Sequence, residues 1–137
     1  MNERYLFRGK RKDNGEWVTG YLIQGNNTYI VTPEAIYYMV VSISYMASVE
    51  FVEVIPETVG QYTGAKLGEQ NLFDGDLLSY IGETYEIVWD EHFLVWSVKN
   101  KKGDMCFSLA TILRDKKREC KLIASKWDNP GLLEVSK

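Results

Sequence analysis

Short runs of β-branched and aromatic residues, separated by turn signals, dominate the hydrophobic pattern of this 137-residue chain. Turn signals such as Asp13-Asn14-Gly15 and Asp90-Glu91-His92 recur about every eight to twelve residues, a spacing typical of all-β proteins. The pattern therefore predicts a mainly β fold with at most short helical turns. In the first half of the chain the predicted strands are Glu16–Ile23, Tyr29–Thr32, Tyr38–Ser44 and Val49–Val54.

The second half contains the clearest meander. Leu77–Ile81, Tyr85–Trp89 and Phe93–Val98 are separated by turns of about three residues, which favours antiparallel pairing of successive strands. We expect short antiparallel strands that form a small barrel-like or curled sheet, beside an N-terminal β region.

One helical signal follows the meander. Leu109, Ile112 and Leu113 have helical spacing, and Ser108 can cap a short helix over Leu109–Arg114. A last strand is predicted at Cys120–Ala124. The length of the chain predicts a single domain over residues 1–137, with subdomains at 1–60 and 61–137.

Charge is strongly segregated along the sequence. The formal net charge of −3 is composed of +4 for residues 1–12, −12 for residues 13–98 and +5 for residues 99–137. One interpretation is electrostatic complementarity, in which the basic ends pack near the acidic middle of the same chain or of a neighbouring subunit. The other is that the basic ends contact a polyanion.

The cysteines and the longest uncharged run bear on the cellular compartment. Two cysteines, Cys106 and Cys120, are too few for a disulfide scaffold, and the first residues lack the apolar stretch of a secretory signal. We expect free thiols in a reducing cytoplasm. The uncharged run over residues 35–49 is interrupted by serines and shorter than the roughly twenty apolar residues of a membrane-spanning helix, which predicts no membrane segment.

Candidate catalytic groups are sparse. The one histidine, His92, falls in a predicted hairpin tip, where it lacks the converging ligands of a metal site. The carboxylate pairs Asp74/Asp76 and Glu53/Glu57 could suggest acid–base chemistry, but Asp-Gly-Asp spacing is also typical of a turn before a strand. The sequence predicts no catalytic residue, metal or cofactor.

Basic residues interleaved with aromatic residues give the strongest binding signal. Near the start, Arg8, Lys10 and Arg11 follow Tyr5-Leu6-Phe7, and near the end come Lys116, Lys117 and Arg118. Cations beside aromatic rings can track a phosphate backbone while bases stack on the rings. Alternatively, Tyr5-Leu6-Phe7 belongs to a core and the cations to a solvated hairpin tip.

Several segments resemble the YopX family of small phage and prophage proteins. The resemblance rests on residues 5–18, on Ile55-Pro56-Glu57-Thr58-Val59-Gly60-Gln61-Tyr62-Thr63-Gly64, on Phe73-Asp74-Gly75-Asp76-Leu77 and on Asn129-Pro130-Gly131-Leu132-Leu133. It implies a mainly β protein in a host cytoplasm and carries over no catalytic residue. Arg8, Gly9, Trp17, Gly60 and Gly64 are expected to determine the fold, with the glycines at turns and Trp17 in a core.

These observations favour a non-enzymatic phage accessory protein that acts by binding, either to copies of itself or to a phage or host protein. The apolar run Ile36–Val49 motivates the prediction of a homo-oligomer, because such a strand is unfavourable on an exposed edge. The alternative is a nucleic-acid-binding protein that uses both basic ends. A third hypothesis, enzymatic, would require Asp76 or His92 to lie beside another titratable group in a cleft.

Overall fold

The computed structural model describes residues 5–32 and 51–133, and the chain divides into two compact units, residues 1–62 and 63–137. The predicted mainly β fold is confirmed: antiparallel strands make up most of the described residues. The predicted strand Tyr38–Ser44, the run Ile36–Val49 and the start of Val49–Val54 lie outside the described residues.

The N-terminal unit is an antiparallel sheet with the strand order β4-β3-β2-β1-β5. The turn that joins the first two strands is closed by hydrogen bonds from the Arg11 N–H to the Glu16 carbonyl and from the Gly15 N–H to the Arg11 carbonyl, and Gly15 has a positive φ of 73° that glycine adopts readily. The strands are β1 (Phe7–Lys10), β2 (Trp17–Gln24), β3 (Thr28–Val31), β4 (Val52–Glu53) and the beginning of β5 (Gly60–Leu67).

One face of this sheet forms a small core. Ile30, Val52 and Val54 are buried there, with Val18 and Leu22 packed against them. Side chains alternate along β2, so Trp17, Thr19, Tyr21 and Ile23 share one face, and that face is opposite the core.

Two expectations about fold determinants are wrong. Trp17 is half-buried outside the core, because it shares the outer face of β2 with polar residues. The glycines expected at turns lie within strands: Gly9 in β1, and Gly60 and Gly64 in β5. Gly9 is buried, and a Cβ there would lie 3.1 Å from Val54. Close packing explains this glycine better than turn geometry does.

The C-terminal unit begins with the rest of β5, which pairs with β6 (Gln70–Phe73). A five-stranded antiparallel sheet follows, in the order β10-β9-β8-β7-β11. Its edge strands β10 and β11 do not pair with each other among the described residues, so this is an open sheet and not a closed barrel. The strands are β7 (Asp76–Tyr80), β8 (Glu83–Asp90), β9 (Val95–Lys99), β10 (Met105–Ser108) and β11 (Cys120–Ser125).

The predicted helix is confirmed as α1 (Leu109–Arg114). The Ser108 hydroxyl accepts a hydrogen bond of 3.1 Å from the Thr111 N–H, which is the N-cap contact expected from the sequence. Leu109 and Ile112 of the helix are buried on the sheet in the core of this unit. The other buried members of that core are Leu72, Leu78, Tyr80, Tyr85, Ile87 and Val98.

Candidate functional site

The N-terminal candidate cations are engaged within their own unit. Arg8 and Lys10 lie opposite Thr19 and Trp17 across the β1–β2 ladder, so all four side chains share the outer face. The guanidinium carbon of Arg8 lies 4.5 Å from the Trp17 ring centroid, and Lys10 Nζ lies 5.4 Å from it. These contacts are cation–π interactions, which hold the two cations against an aromatic side chain of the same sheet.

Arg11 is neutralised by a neighbouring carboxylate. Its Nε and one terminal nitrogen donate to Asp13 at 3.0 and 2.9 Å, a bidentate pair. The hydrogen bond from Arg11 lowers the pKa of the exposed Asp13 carboxyl below its ordinary value. Lys12 forms a second ion pair, of 3.1 Å, with Glu53. At these pairs the basic start of the chain meets the acidic middle, as the complementarity interpretation expects.

The C-terminal candidates Lys116, Lys117 and Arg118 lie in the exposed loop between α1 and β11. Asp115 shapes this loop: its carboxylate accepts hydrogen bonds from the backbone N–H groups of Lys117 and Arg118 and from the Tyr80 hydroxyl. These bonds, with the Tyr80 contact the largest, lower the pKa of Asp115. These bonds order the backbone of the loop. Lys116, Lys117 and Arg118 are exposed, and the Arg118 side chain also interacts with Tyr80 and Asp115.

The sheet register places a second cationic segment at the same end of the C-terminal unit. Tyr80 pairs with both Glu83 and Cys120, and Lys99 pairs with both Glu86 and Met105. The β7–β8 turn, the β9–β10 turn and the loop before β11 therefore share one end of the sheet. We call the exposed cations of this end the basic end: Lys101, Lys102, Lys116, Lys117 and Arg118.

A shallow cavity marks part of this end. It has a volume of about 420 Å³ and lies between the Gly82–Thr84 segment and the β9–β10 turn. Its charged lining residues are Lys101 and Lys102 together with Glu83 and Asp104. Sequence reasoning did not single out these two lysines. The predicted meander could have indicated them, because the antiparallel register of three successive strands determines which turns lie at the same end of the sheet.

The opposite end of the sheet carries the β8–β9 hairpin. Ser108 pairs with Ser97 and Ser97 with Val88, so residues 89–96 extend beyond the end of β10. We call residues 89–96 the hairpin tip; it contains Asp90 and Glu91 and no lysine or arginine. The Asp90 carboxylate accepts hydrogen bonds from the N–H groups of His92 and Phe93 and thereby orders the tip.

Apolar side chains at the hairpin tip are exposed to solvent. Phe93 is 71% exposed and Leu94 is 69% exposed. Trp89 is 43% exposed and packs edge to face on Trp96 at 5.3 Å between ring centroids. A cluster of exposed large apolar side chains on one projecting hairpin is a feature of interaction surfaces.

The groups considered for catalysis have structural contacts of their own. His92 is exposed at the hairpin tip and packs against the Phe93 ring. The buried Asp76 carboxylate accepts a 2.8 Å hydrogen bond from the Phe73 N–H, as expected for a turn before a strand. The buried Glu86, which the sequence did not single out, lies between Lys126, at 3.0 Å, and Lys99, at 3.9 Å. Within residues 5–32 and 51–133, no three acidic, histidine or cysteine side chains are grouped as a metal site.

The two cysteines are free thiols, as predicted, but they differ in exposure. Cys120 is half-buried on β11, and burial raises the pKa of its thiol. Cys106 is exposed on the edge strand β10. No helix of the described residues is long and apolar enough to cross a membrane.

A comparison with models of protein families assigns the chain to a family. The family model described as YopX protein matches residues 6–134. The chain belongs to the YopX family. A comparison with curated proteins gives no match. The segments that carry the resemblance map to the β1–β2 hairpin, the 3₁₀ turn at Pro56–Thr58 with β5, the turn before β7 and the 3₁₀ turn at Pro130–Leu133. In this YopX-family chain the family signature therefore coincides with strands and turns.

Proposed function

We propose that this YopX-family protein is a non-enzymatic phage or prophage accessory protein of the host cytoplasm that associates with copies of itself. The observation that carries the proposal is the hairpin tip, where Phe93 and Leu94 expose most of their apolar surface. Burying such side chains against a partner is favourable by about 25 cal/mol for each Å² removed from water. The run Ile36–Val49, which first motivated the prediction, lies outside the described residues.

The roles of the titratable groups also support a binding function. Asp76, Glu86 and Asp90 are buried and used in hydrogen bonds or ion pairs that stabilise strands and turns. His92 is exposed on the tip and does not line the neighbouring cavity of about 220 Å³, to which Asp90 and Phe93 contribute.

Sedimentation velocity across a range of micromolar concentrations tests the proposal. We expect a sedimentation coefficient that rises with concentration. A Phe93→Ser variant should show a smaller rise, because it removes the most exposed aromatic side chain at the tip. A species that sediments as a monomer at every concentration would end the proposal.

A second candidate function is binding of nucleic acid, now centred on the basic end. The supporting observation is that the fold brings Lys101 and Lys102 to the same end of the sheet as Lys116–Arg118. Phosphate contacts release counterions, so retention on single-stranded DNA or RNA should fall steeply with salt.

The chain offers a matched control for this experiment. Lys117→Ala removes an exposed cation of the basic end, whereas Arg11→Ala removes a cation that is already paired with Asp13. We expect the first change to weaken retention more than the second. Retention that is absent at low salt, or that does not depend on salt, contradicts nucleic-acid binding.

A further inference from the structure

Two turn residues of the C-terminal sheet adopt a backbone conformation that their side chains disfavour. Ile81 has a φ of 47° and Leu94 a φ of 56°, and these are the non-glycine residues with positive φ among those described. Left-handed conformations are uncommon for large side chains and rarest for β-branched ones.

The β7–β8 turn shows what the local geometry would prefer. Ile81 and Gly82, with φ values of 47° and 79°, form the two-residue connection between Tyr80 and Glu83. A two-residue hairpin turn with two positive φ values is type I′, for which asparagine is strongly preferred at the first position. Position 81 therefore carries isoleucine where the backbone conformation of the turn favours asparagine.

Packing within the chain does not explain why isoleucine and leucine occupy these two strained positions. Ile81 is 43% exposed and Leu94 is 69% exposed, so neither side chain fills the core of its unit. A residue that is both strained and exposed points to a role outside folding. The two residues occupy opposite ends of one sheet.

The net charges around the two residues differ in sign: at the end with Ile81 the five cations of the basic end stand beside four carboxylates, Glu83, Asp104, Asp115 and Glu119, whereas the charged residues of the hairpin tip are carboxylates alone. In the strand order, the β7–β8 turn with Ile81 lies between the turn of Lys101 and Lys102 and the loop of Lys116–Arg118, on the order of 10 Å from each. Leu94 lies on the hairpin tip, beside Asp90 and Glu91. Each end thus has an apolar centre with a charged surround.

We propose that the hairpin tip of one molecule docks on the basic end of a second copy, a head-to-tail contact that places Phe93 and Leu94 against Ile81. This inference rests on the proposed self-association and specifies its geometry. Apolar anchors at the centre with charged residues at the rim are the usual composition of a protein interface. The opposite net charges of the two ends favour this pairing over tip with tip, where carboxylates meet carboxylates.

A head-to-tail contact uses two different surfaces, so it leaves one free copy of each surface on every dimer. Such an interface adds further subunits until a ring closes or a filament grows. The surfaces can also be inactivated one at a time, which a two-fold symmetric contact does not permit.

Two variants separate the surfaces. The tip variant carries Phe93→Ser and Leu94→Asn, and the end variant carries Ile81→Asn and Lys117→Glu. Asparagine tolerates positive φ, so we expect both variants to fold with a melting temperature at least as high as that of the wild type. Ile123→Thr, which removes an isoleucine of β11 that is 41% exposed, is the matched control and should associate like the wild type.

Sedimentation of each variant alone and of an equimolar mixture tests the geometry. Each variant alone should associate at least about tenfold more weakly than the wild type. The mixture should form a one-to-one dimer that grows no further, because the intact tip of the end variant docks on the intact basic end of the tip variant.

Other outcomes overturn the head-to-tail contact in distinguishable ways. An end variant that still associates fully points to tip-to-tip pairing. Wild-type association that neither variant affects refutes this inference and leaves self-association standing, whereas a strictly monomeric wild type refutes both. If the end variant loses retention on single-stranded DNA while its association is unchanged, the basic end is a nucleic-acid surface instead.

Discussion

The Tyr80 hydroxyl donates a hydrogen bond to the Asp115 carboxylate and so fastens the loop of Lys116–Arg118 to the end of β7. We predict that Tyr80→Phe frees this loop while the ring stays in the core. Hydrogen exchange at the Lys117 and Arg118 amides, which donate to the same carboxylate, should be faster in the variant. Unchanged exchange at both amides would show that Asp115 holds the loop without Tyr80.

The same contact predicts a pH dependence with a definite sign. The hydrogen bond lowers the pKa of Asp115 below 3.8, so its stabilisation is present above pH 3.8 and is lost as the pH falls through the lowered pKa. It also raises the pKa of Tyr80 above 10.0, so the stabilisation is lost again as the pH rises through that raised pKa. The stability difference between wild type and Tyr80→Phe should therefore vanish at both extremes, as urea titrations at several pH values can show.

Gly20 is predicted to tolerate no side chain. A Cβ at this position in β2 would overlap the backbone carbonyl of Val31, which cannot move without breaking the β2–β3 ladder. We expect Gly20→Ala to lower the free energy of unfolding by about 1–3 kcal/mol. Gly25→Ala is the control, because nothing lies within 4 Å of that position. Equal urea midpoints for the two variants would contradict the close approach.

The ion pair between Lys126 and Glu86 should be asymmetric in its response to substitution. The Glu86 side chain is 6% exposed, whereas those of Lys126 and Lys99 are 30% and 35% exposed. Lys126→Met leaves a buried carboxylate with only its longer contact to Lys99, and we expect a loss of about 1–3 kcal/mol of stability. Glu86→Gln should lower the stability by less than Lys126→Met does, because both lysines can turn toward water. Thermal unfolding of the two variants shows which one loses more stability.

The two thiols are predicted to react at different rates. Cys106 is exposed, whereas Cys120 is half-buried with a raised thiol pKa, and the thiolate is the reactive form. Iodoacetamide should therefore label Cys106 first, as peptide mass spectrometry can measure. In denaturant the labelling rates of Cys106 and Cys120 should become equal. A difference in rate that persists in denaturant would show that the neighbouring residues in the sequence, and not the fold, cause it.

A helix or strand could be predicted where its own residues and the turns beside it together indicate its type and its ends. α1 combines apolar spacing with a capping Ser108, and β8 alternates between two turns, so both were predicted within two residues. β1, β5, β6 and β10 were missed as strands. β5 contains Gly60 and Gly64, which favour turns locally, and it becomes a strand because β1 and β6 pair with it.

The candidate site could be predicted only in part, for a similar reason. Lys116–Arg118 stand out as a run in the sequence, whereas Lys101 and Lys102 join them only through the strand register. Arg11 belongs to a basic run but is neutralised by Asp13, two residues away. The positive φ of Ile81 has no sequence signal, because the residue before a glycine in a turn is ordinarily asparagine.

The separation of the basic end from the acidic hairpin tip gives the C-terminal unit an electric dipole along its strands. A net charge of −3 would suggest retention on an anion exchanger alone near neutral pH. An ion exchanger, however, binds one face of a molecule at a time, and the exposed lysines of the basic end and the carboxylates of the hairpin tip lie at different ends of this sheet. The protein should therefore be held by both cation and anion exchangers in the same dilute buffer and released from each by modest salt.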